Sequence, residues 1–250
     1  MTGHLAIVGL GPGAADLQTP QAAAATAQAT DLVGYAPYLA RVPPNPHQRR
    51  HPSDNREELA RARHALSLAA AGNRVAVVSS GDAGVFAMAS AIFEALETGD
   101  PAWRDLDPEV IPGISAMFAV AARVGAPLGA DFCAISLSDN LKPWSTVTTR
   151  LQAAAQAGFV TALYNPLSGS RPWQLGAAFD LLRQLLPAAT PVVFATAVTR
   201  PEERIDITTL AEADPARADM RTMVLVGSPT TRRIDRPGAR PFLYSPRSAA

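Results

Sequence analysis

The chain has 250 residues, 48% hydrophobic and 18% charged, an ordinary globular composition with length for one large domain or two modest ones. Its 22 lysines and arginines balance 22 aspartates and glutamates, which argues against nucleic acid or a membrane surface as partner and for a small molecule. Cys133 is the single cysteine, so neither an intrachain disulfide nor a thiolate-cluster metal site is available, and no metal is expected.

The amino-terminal stretch MTGHLAIVGLGPG lacks the layout of a signal peptide, and no apolar run reaches the roughly 20 residues of a membrane span; the expectation is a soluble cytoplasmic protein. Short apolar runs then alternate with alanine-rich amphipathic stretches, the pattern of a largely parallel α/β protein. Residues 5–8 read as a buried strand, 20–29 as a helix, 31–34 as a second strand and 57–71 as a helix ending at Gly72. A third strand over 74–78, a helix over 85–96 and a short strand over 109–111 follow, and Ser115 is placed to cap the next helix. The glycine- and proline-rich stretch 124–131 reads as a linker, dividing a first lobe (1–125) from a second (126–240). The second lobe carries strands near 132–137, 159–163, 192–197 and 223–226 and helices near 144–157 and 173–186. From Arg232 onward the chain is arginine- and proline-rich without periodicity, and it reads as a loosely ordered terminus, with 241–250 a tail.

Three glycine-containing turns follow predicted strands of the first lobe. Gly9, Gly11 and Gly13 let the backbone turn sharply and approach a ligand without Cβ interference. A dinucleotide fingerprint would place a third glycine where Ala14 stands, and Pro12 removes an amide that could face a phosphate. The second turn, Ser79 to Gly84, carries Asp82, which would repel a polyanion and suits a ligand with hydroxyls and an amino group; Asp82 could equally close an Asx-type turn on its own backbone. The third, Pro112 to Ala116, could be a plain helix cap at Ser115. Turns at successive strand ends converge on one crevice, where ligands of open α/β sheets bind.

The ordered series VGLGPG, DLVGYAPYL, SSGDAGVFAMA, PGISAM, SLSDNLKPW, LYNPLSGSRPWQL and MVLVGSPTTR, spanning roughly residues 4–233, resembles the tetrapyrrole methylase family. The tyrosine-containing second stretch and the fifth and sixth are most similar to the members that methylate carbon 17 of a corrin precursor with ring contraction, in cobalamin biosynthesis. The resemblance implies a two-lobed α/β fold, each lobe a mixed, mainly parallel sheet flanked by helices. It also implies a homodimer, a tetrapyrrole substrate, and S-adenosylmethionine bound between the lobes, leaving as S-adenosylhomocysteine. By the same resemblance Pro12, Ser80, Gly81, Asp82, Val85, Ser115, Ala116, Tyr164 and Val198 fall on cofactor-contacting positions. Asp139, Tyr35 and His4 are candidates for the proton transfers of ring contraction, and Arg171, Trp144 and Tyr38 for substrate binding. The planar fork of Arg171 suits carboxylates on a tetrapyrrole rim, and Trp144 could border a flat ring. Ala36 stands where relatives that methylate uroporphyrinogen carry an acid, so no general base is expected there.

Three other readings stay open: a corrin-ring methylase acting on a cobalt-containing precursor, a nicotinamide-dependent oxidoreductase, and a non-catalytic tetrapyrrole-binding protein. The oxidoreductase expects an acidic ribose ligand at the end of the second strand, where the sequence has Gly34 and Tyr35, with Asp31 at its beginning. His4, His47, His51 and His64 show no metalloprotease spacing, and His47 and His51 fall in a proline- and arginine-rich stretch expected to be solvent-exposed.

Overall fold

The computed structural model describes residues 3–55, 57–169 and 171–248. They pack as two compact units, Met1–Ala116 and Met117–Ala250. The first contains β1 (His4–Gly9), α1 (Pro20–Gln28), β2 (Asp31–Tyr35), α2 (Ala36–Leu39), β3 (Arg49–Ser53), α3 (Glu58–Ala70), β4 (Arg74–Ser79), α4 (Met88–Thr98) and β5 (Glu109–Ile111). Its strands form one sheet in the order β3-β2-β4-β1-β5, parallel throughout. Alternate side chains of one strand enter cores on opposite faces. Leu5, Ile7, Val75 and Val77 join one cluster with α3 and α4, while Ala6, Val8, Ala76 and Val78 join another with Ala22 of α1 and Leu39 of α2. Burial on both faces is why these strands read as continuous apolar runs.

Local chemistry sets the helix starts. Thr19 caps α1, its hydroxyl accepting from the Ala22 amide at 3.1 Å, with Pro20 in the first turn where its missing N–H costs nothing. The helix expected from Val85 begins instead at Met88. Phe86 takes a left-handed φ of 50° and Ala87 is extended, so the chain cannot be helical there. The stretch expected to be an exposed loop around His51 is the edge strand β3. It is held by Arg50, whose guanidinium donates to the carbonyls of Leu39, Val42 and Pro43, and by backbone pairing to β2.

Helix α5 (Ala116–Val124) leads into the second unit, which contains β6 (Gly125–Ala126), β7 (Phe132–Ser136), α6 (Trp144–Gln156), β8 (Val160–Tyr164) and α7 (Gln174–Arg183). It continues through β9 (Pro191–Thr196), β10 (Arg204–Thr209), β11 (Thr222–Val226), β12 (Arg232–Arg236) and β13 (Ala239–Tyr244). The main sheet runs β10-β9-β11-β8-β7, and here the expectation of mainly parallel pairing is corrected: only β7 and β8 are parallel. A crossover helix is what returns a strand in parallel, and none separates β9 from β10 or β10 from β11. The core combines Leu163, Val192, Phe194 and Val224 of the strands with Val147 and Leu151 of α6 and Leu175 and Phe179 of α7. Phe179 and Phe194 meet edge to face at 5.9 Å.

The stretch read as a linker, 124–131, contains β6, which pairs with β13, so Leu243 and Tyr244 lie beside Gly125 and Ala126. The terminus expected to be loose is a β-hairpin. Arg236-Pro237-Gly238-Ala239 turns it with Gly238 at φ 67°, and Ser245 fastens its end by donating to the carbonyl of Pro127 at 2.6 Å. Every residue of β12 is exposed, so backbone pairing rather than an apolar period makes this strand.

Asp31, buried at the start of β2, accepts from Thr30 Oγ1 (2.8 Å), His51 Nε2 (2.8 Å) and Arg49 Nη2 (3.1 Å). Burial alone would raise its carboxyl pKa, but hydrogen bonds from His51, Thr30 and Arg49 outweigh that and hold it below the ordinary value. A depressed folded pKa stabilises above the unfolded value of about 3.9 and is lost as pH falls through the folded value. Asp31→Asn should therefore lower the unfolding free energy by about 3 kcal/mol near neutrality. In urea titrations the gap between the two proteins should narrow below about pH 4. Phe179→Ala, which empties the centre of the second core, should cost about 3–5 kcal/mol by the same measurement, without pH dependence.

Candidate functional site

Because β4, β1 and β5 are parallel neighbours, their carboxyl ends deliver three turns side by side, over residues 9–13, 79–84 and 112–115. The turns are bonded to each other. Gly11 and Gly81 exchange both backbone hydrogen bonds, at 3.0 and 2.9 Å, and the Leu10 amide donates to the Ser79 carbonyl at 2.9 Å. Only hydrogen fits between them: a Cβ on Gly9 would lie 2.7 Å from the Gly81 carbonyl oxygen and 2.8 Å from the Gly113 nitrogen, and one on Gly113 would strike Gly81 and Gly9 backbone. Asp82 closes the third side. One carboxylate oxygen accepts from the Gly113 amide at 2.9 Å and the other from the Gly84 amide at 2.8 Å, so it forms both an Asx-type turn and a strut between turns.

Arg41, just past α2, completes this frame. Its guanidinium donates to Ser80 Oγ at 3.0 Å and to the carbonyls of Leu10 and Gly11, each at 2.9 Å, tying the first turn to the second. The sequence reading missed Arg41; a lone arginine in a loop carries no signal until the fold sets carbonyls around it. Among the other residues singled out here, Pro12 and Ser115 are buried, Val85 is half-buried between Asp82 and the left-handed Phe86, and Ala116 opens α5. The resulting surface presents small side chains, hydroxyls and backbone, with a carboxylate already committed to amides. It suits a compact polar ligand lying against backbone and is unsuited to a chain of phosphates.

Tyr35 ends β2 and packs edge to face with Tyr38 of α2 at 5.2 Å, at the carboxyl edge of the same sheet. Close to both is Arg61 of α3, 6% exposed, which donates to Ser53 Oγ at 2.5 Å and to the Asp54 carbonyl at 2.6 Å. Burial lowers its pKa, and nearby Glu58 and Glu57 act in the opposite sense. His4 does not join this group. It stands at the amino end of β1, the end remote from Gly9, where it meets Glu109 at 3.4 Å.

In the second unit, Asp139 accepts from the Gln174 amide through both oxygens, at 3.1 and 3.2 Å, and Gln174 is 1% exposed. Lys142 lies in the same loop. Loss of solvent and the Arg150 cation push its pKa down, while Asp139 acts to raise it. Tyr164 ends β8, its hydroxyl receiving the Met117 amide at 3.4 Å, and Arg171 pairs its backbone with Ser168 and donates to the Asn165 carbonyl at 3.3 Å. Trp144 packs against the core and meets Trp173 edge to face at 4.9 Å; Trp173 is the more exposed of the two. Val198 is buried between Ala197 (φ 50°) and Thr199 (φ 65°), and Asn165 after β8 also has φ 50°. Non-glycine residues in this region cost about 1–3 kcal/mol each and gather at functional sites. The sequence gives no sign of them, since none is glycine.

A crystal structure of the methyltransferase CobJ superimposes with a TM-score of 0.93 and 52% identity, covering 98% of this chain and 100% of that one. The precorrin-3B C(17)-methyltransferase of Sinorhizobium sp is 58% identical over 247 residues, 99% of this chain and 97% of the relative. The probable cobalt-factor III C(17)-methyltransferase of Salmonella typhimurium is 39% identical over 228 residues, 91% of this chain and 93% of the relative. The family of Tetrapyrrole (Corrin/Porphyrin) Methylases matches residues 4–214, the span that holds the three bonded turns, the paired tyrosines and Asp139, and the chain belongs to that family.

Proposed function

We propose that this protein is an S-adenosylmethionine-dependent methyltransferase that methylates precorrin-3B at carbon 17, with ring contraction to precorrin-4, in cobalamin biosynthesis. The observation that carries this reading is the 58% identity, over nearly all of both chains, to a relative named for that reaction. The second reading, a cobalt-containing substrate, draws on the relatives named for cobalt-factor III, whose identity is lower at 39%. We place the cofactor against the bonded turns of the first unit, with Pro12, Ser80, Gly81, Asp82, Val85, Ser115 and Ala116 as contacts, and assign Tyr164 and Val198 of the second unit to the cofactor as well. The donor supplies an activated methyl group, so the protein's work is to hold reactants in line and exclude water. Such positioning is worth up to about 7–11 kcal/mol.

The frame of the first unit fits that task. The hydrogen bonds among Gly11, Gly81, Asp82 and Gly113 hold the turns without a ligand, so binding need not order them. Asp139 and Tyr35 are the groups assigned to proton transfer, and Arg171, Trp144 and Tyr38 to the substrate's carboxylates and ring. His4, tied to Glu109 at the opposite end of β1, is given no role. A homodimer working in the cytoplasm completes the proposal.

Isothermal titration should show saturable binding of S-adenosylhomocysteine and no heat with NAD; the reverse result would return the oxidoreductase. Precorrin-3B and its cobalt-containing counterpart, offered in parallel with S-adenosylmethionine under anaerobic conditions, should give turnover of the metal-free substrate, and preference for the other would move the assignment to the second reading. Arg41→Ala should weaken S-adenosylhomocysteine by roughly ten-fold, equivalent to about 1.4 kcal/mol, with kcat at saturating cofactor close to wild type. Unchanged affinity would remove Arg41 from the cofactor frame.

A further inference from the structure

Away from the bonded turns, β3 and α3 bring two imidazoles together. His51 Nε2 meets the buried Asp31 carboxylate at 2.8 Å, and His51 Nδ1 lies 3.0 Å from His64 Nε2. Asp31 accepts the Nε2 proton of His51, which leaves Nδ1 as a lone pair aimed at His64. This carboxylate–imidazole pairing is the one that orients histidines on metal ions, fixing the tautomer and the ring orientation. Asp31 is itself gripped by Thr30 and by Nε and Nη2 of the Arg49 guanidinium, so His51 has a rigid anchor and the arginine's charge is already balanced.

The two rings are inclined by 58° with centroids 4.9 Å apart, so they meet at an angle rather than end to end. An ion about 2.0–2.1 Å from each facing nitrogen would subtend about 95° across the 3.0 Å gap. That is a cis angle of tetragonal or octahedral coordination and falls short of the tetrahedral angle that zinc favours. In the ion's absence the same gap is closed by one proton, donated by His64 Nε2 to His51 Nδ1; on binding, that proton moves to His64 Nδ1 or leaves. Among the described residues no group of three or more histidine, cysteine, aspartate or glutamate side chains is set to hold an ion, so water would fill the remaining positions.

We propose that His51 and His64 form a two-imidazole site for a divalent first-row ion of tetragonal preference, nickel(II) or copper(II) in class, clipping the edge strand β3 to α3. The site is independent of the methyltransferase reading. His64 is exposed on a helix, and alanine there is favourable to the helix, so His64→Ala should fold as wild type.

The test is titration of the full chain with nickel chloride, in wild type and His64→Ala, alongside thermal unfolding at increasing nickel. Wild type should bind with a midpoint at least ten-fold tighter than the variant, the loss reported even for an outer partner of a metal ligand. Its unfolding temperature should rise with nickel while that of the variant does not. In wild type, imidazole NMR signals of His51 and His64 should broaden before those of His4 and His47 at substoichiometric nickel. Equal affinity in the two proteins, or first broadening at His4 or His47, would overturn the proposal.

Discussion

Much of the first unit depends on one constraint: three chain reversals at neighbouring strand ends must pass within van der Waals contact of each other's backbone. Gly9 and Gly113 meet each other and the Gly81 carbonyl where no Cβ fits on either, and the reciprocal hydrogen bonds of Gly11 and Gly81 turn that closeness into a fixed arrangement. Buried backbone groups must be satisfied, and at the end of a sheet the ladder no longer does it. Asp82 and Arg41 take over, the carboxylate receiving amides and the guanidinium serving carbonyls and Ser80. The frame thus contains one fixed acceptor and one fixed donor set of opposite charge, the acceptor used on backbone amides and the donors on backbone carbonyls and the Ser80 hydroxyl.

The carboxylate at the centre of these turns therefore has a structural task of its own, whatever ligand the turns hold. The sequence leaves Asp82 open as a ligand group or an Asx-type turn, and the structure shows the turn together with a strut to Gly113. The strut also fixes the third turn, from which Ser115 and the start of α5 follow. The same logic separates the two ends of β1. Gly9 belongs to the bonded turns, while His4, five residues earlier on the same strand, faces Glu109 at the other edge of the sheet.

The second unit solves a different packing problem. Its sheet changes from parallel to antiparallel between β8 and β11, and the unit carries a hairpin whose outer strand is exposed along its whole length. Such a strand is held by backbone pairing and by its ends, here the Pro237-Gly238 turn and the Ser245 hydroxyl on Pro127. The left-handed residues Asn165, Ala197 and Thr199 follow β8 and β9, so strain collects where strands end rather than within the sheet.

The sequence by itself determined the alternation of strands and helices, because side chains buried on both faces of a parallel sheet leave unbroken apolar runs, and because Thr19, Pro20 and Gly72 mark helix ends by local chemistry. It determined the three turns, since glycine at a strand end is a local requirement for tight reversal, and through its ordered motifs it determined the family. What only the tertiary structure decided are relations between residues far apart in the chain. The strand character of 49–53 and 232–236 comes from pairing to partners and has no periodic signature, and the direction of pairing in the second sheet depends on which strands become neighbours. The clamp by Arg41 and the Asp31–His51–His64 chain likewise need the fold, because a long polar side chain acquires its meaning from the carbonyls, carboxylates and rings that folding sets around it.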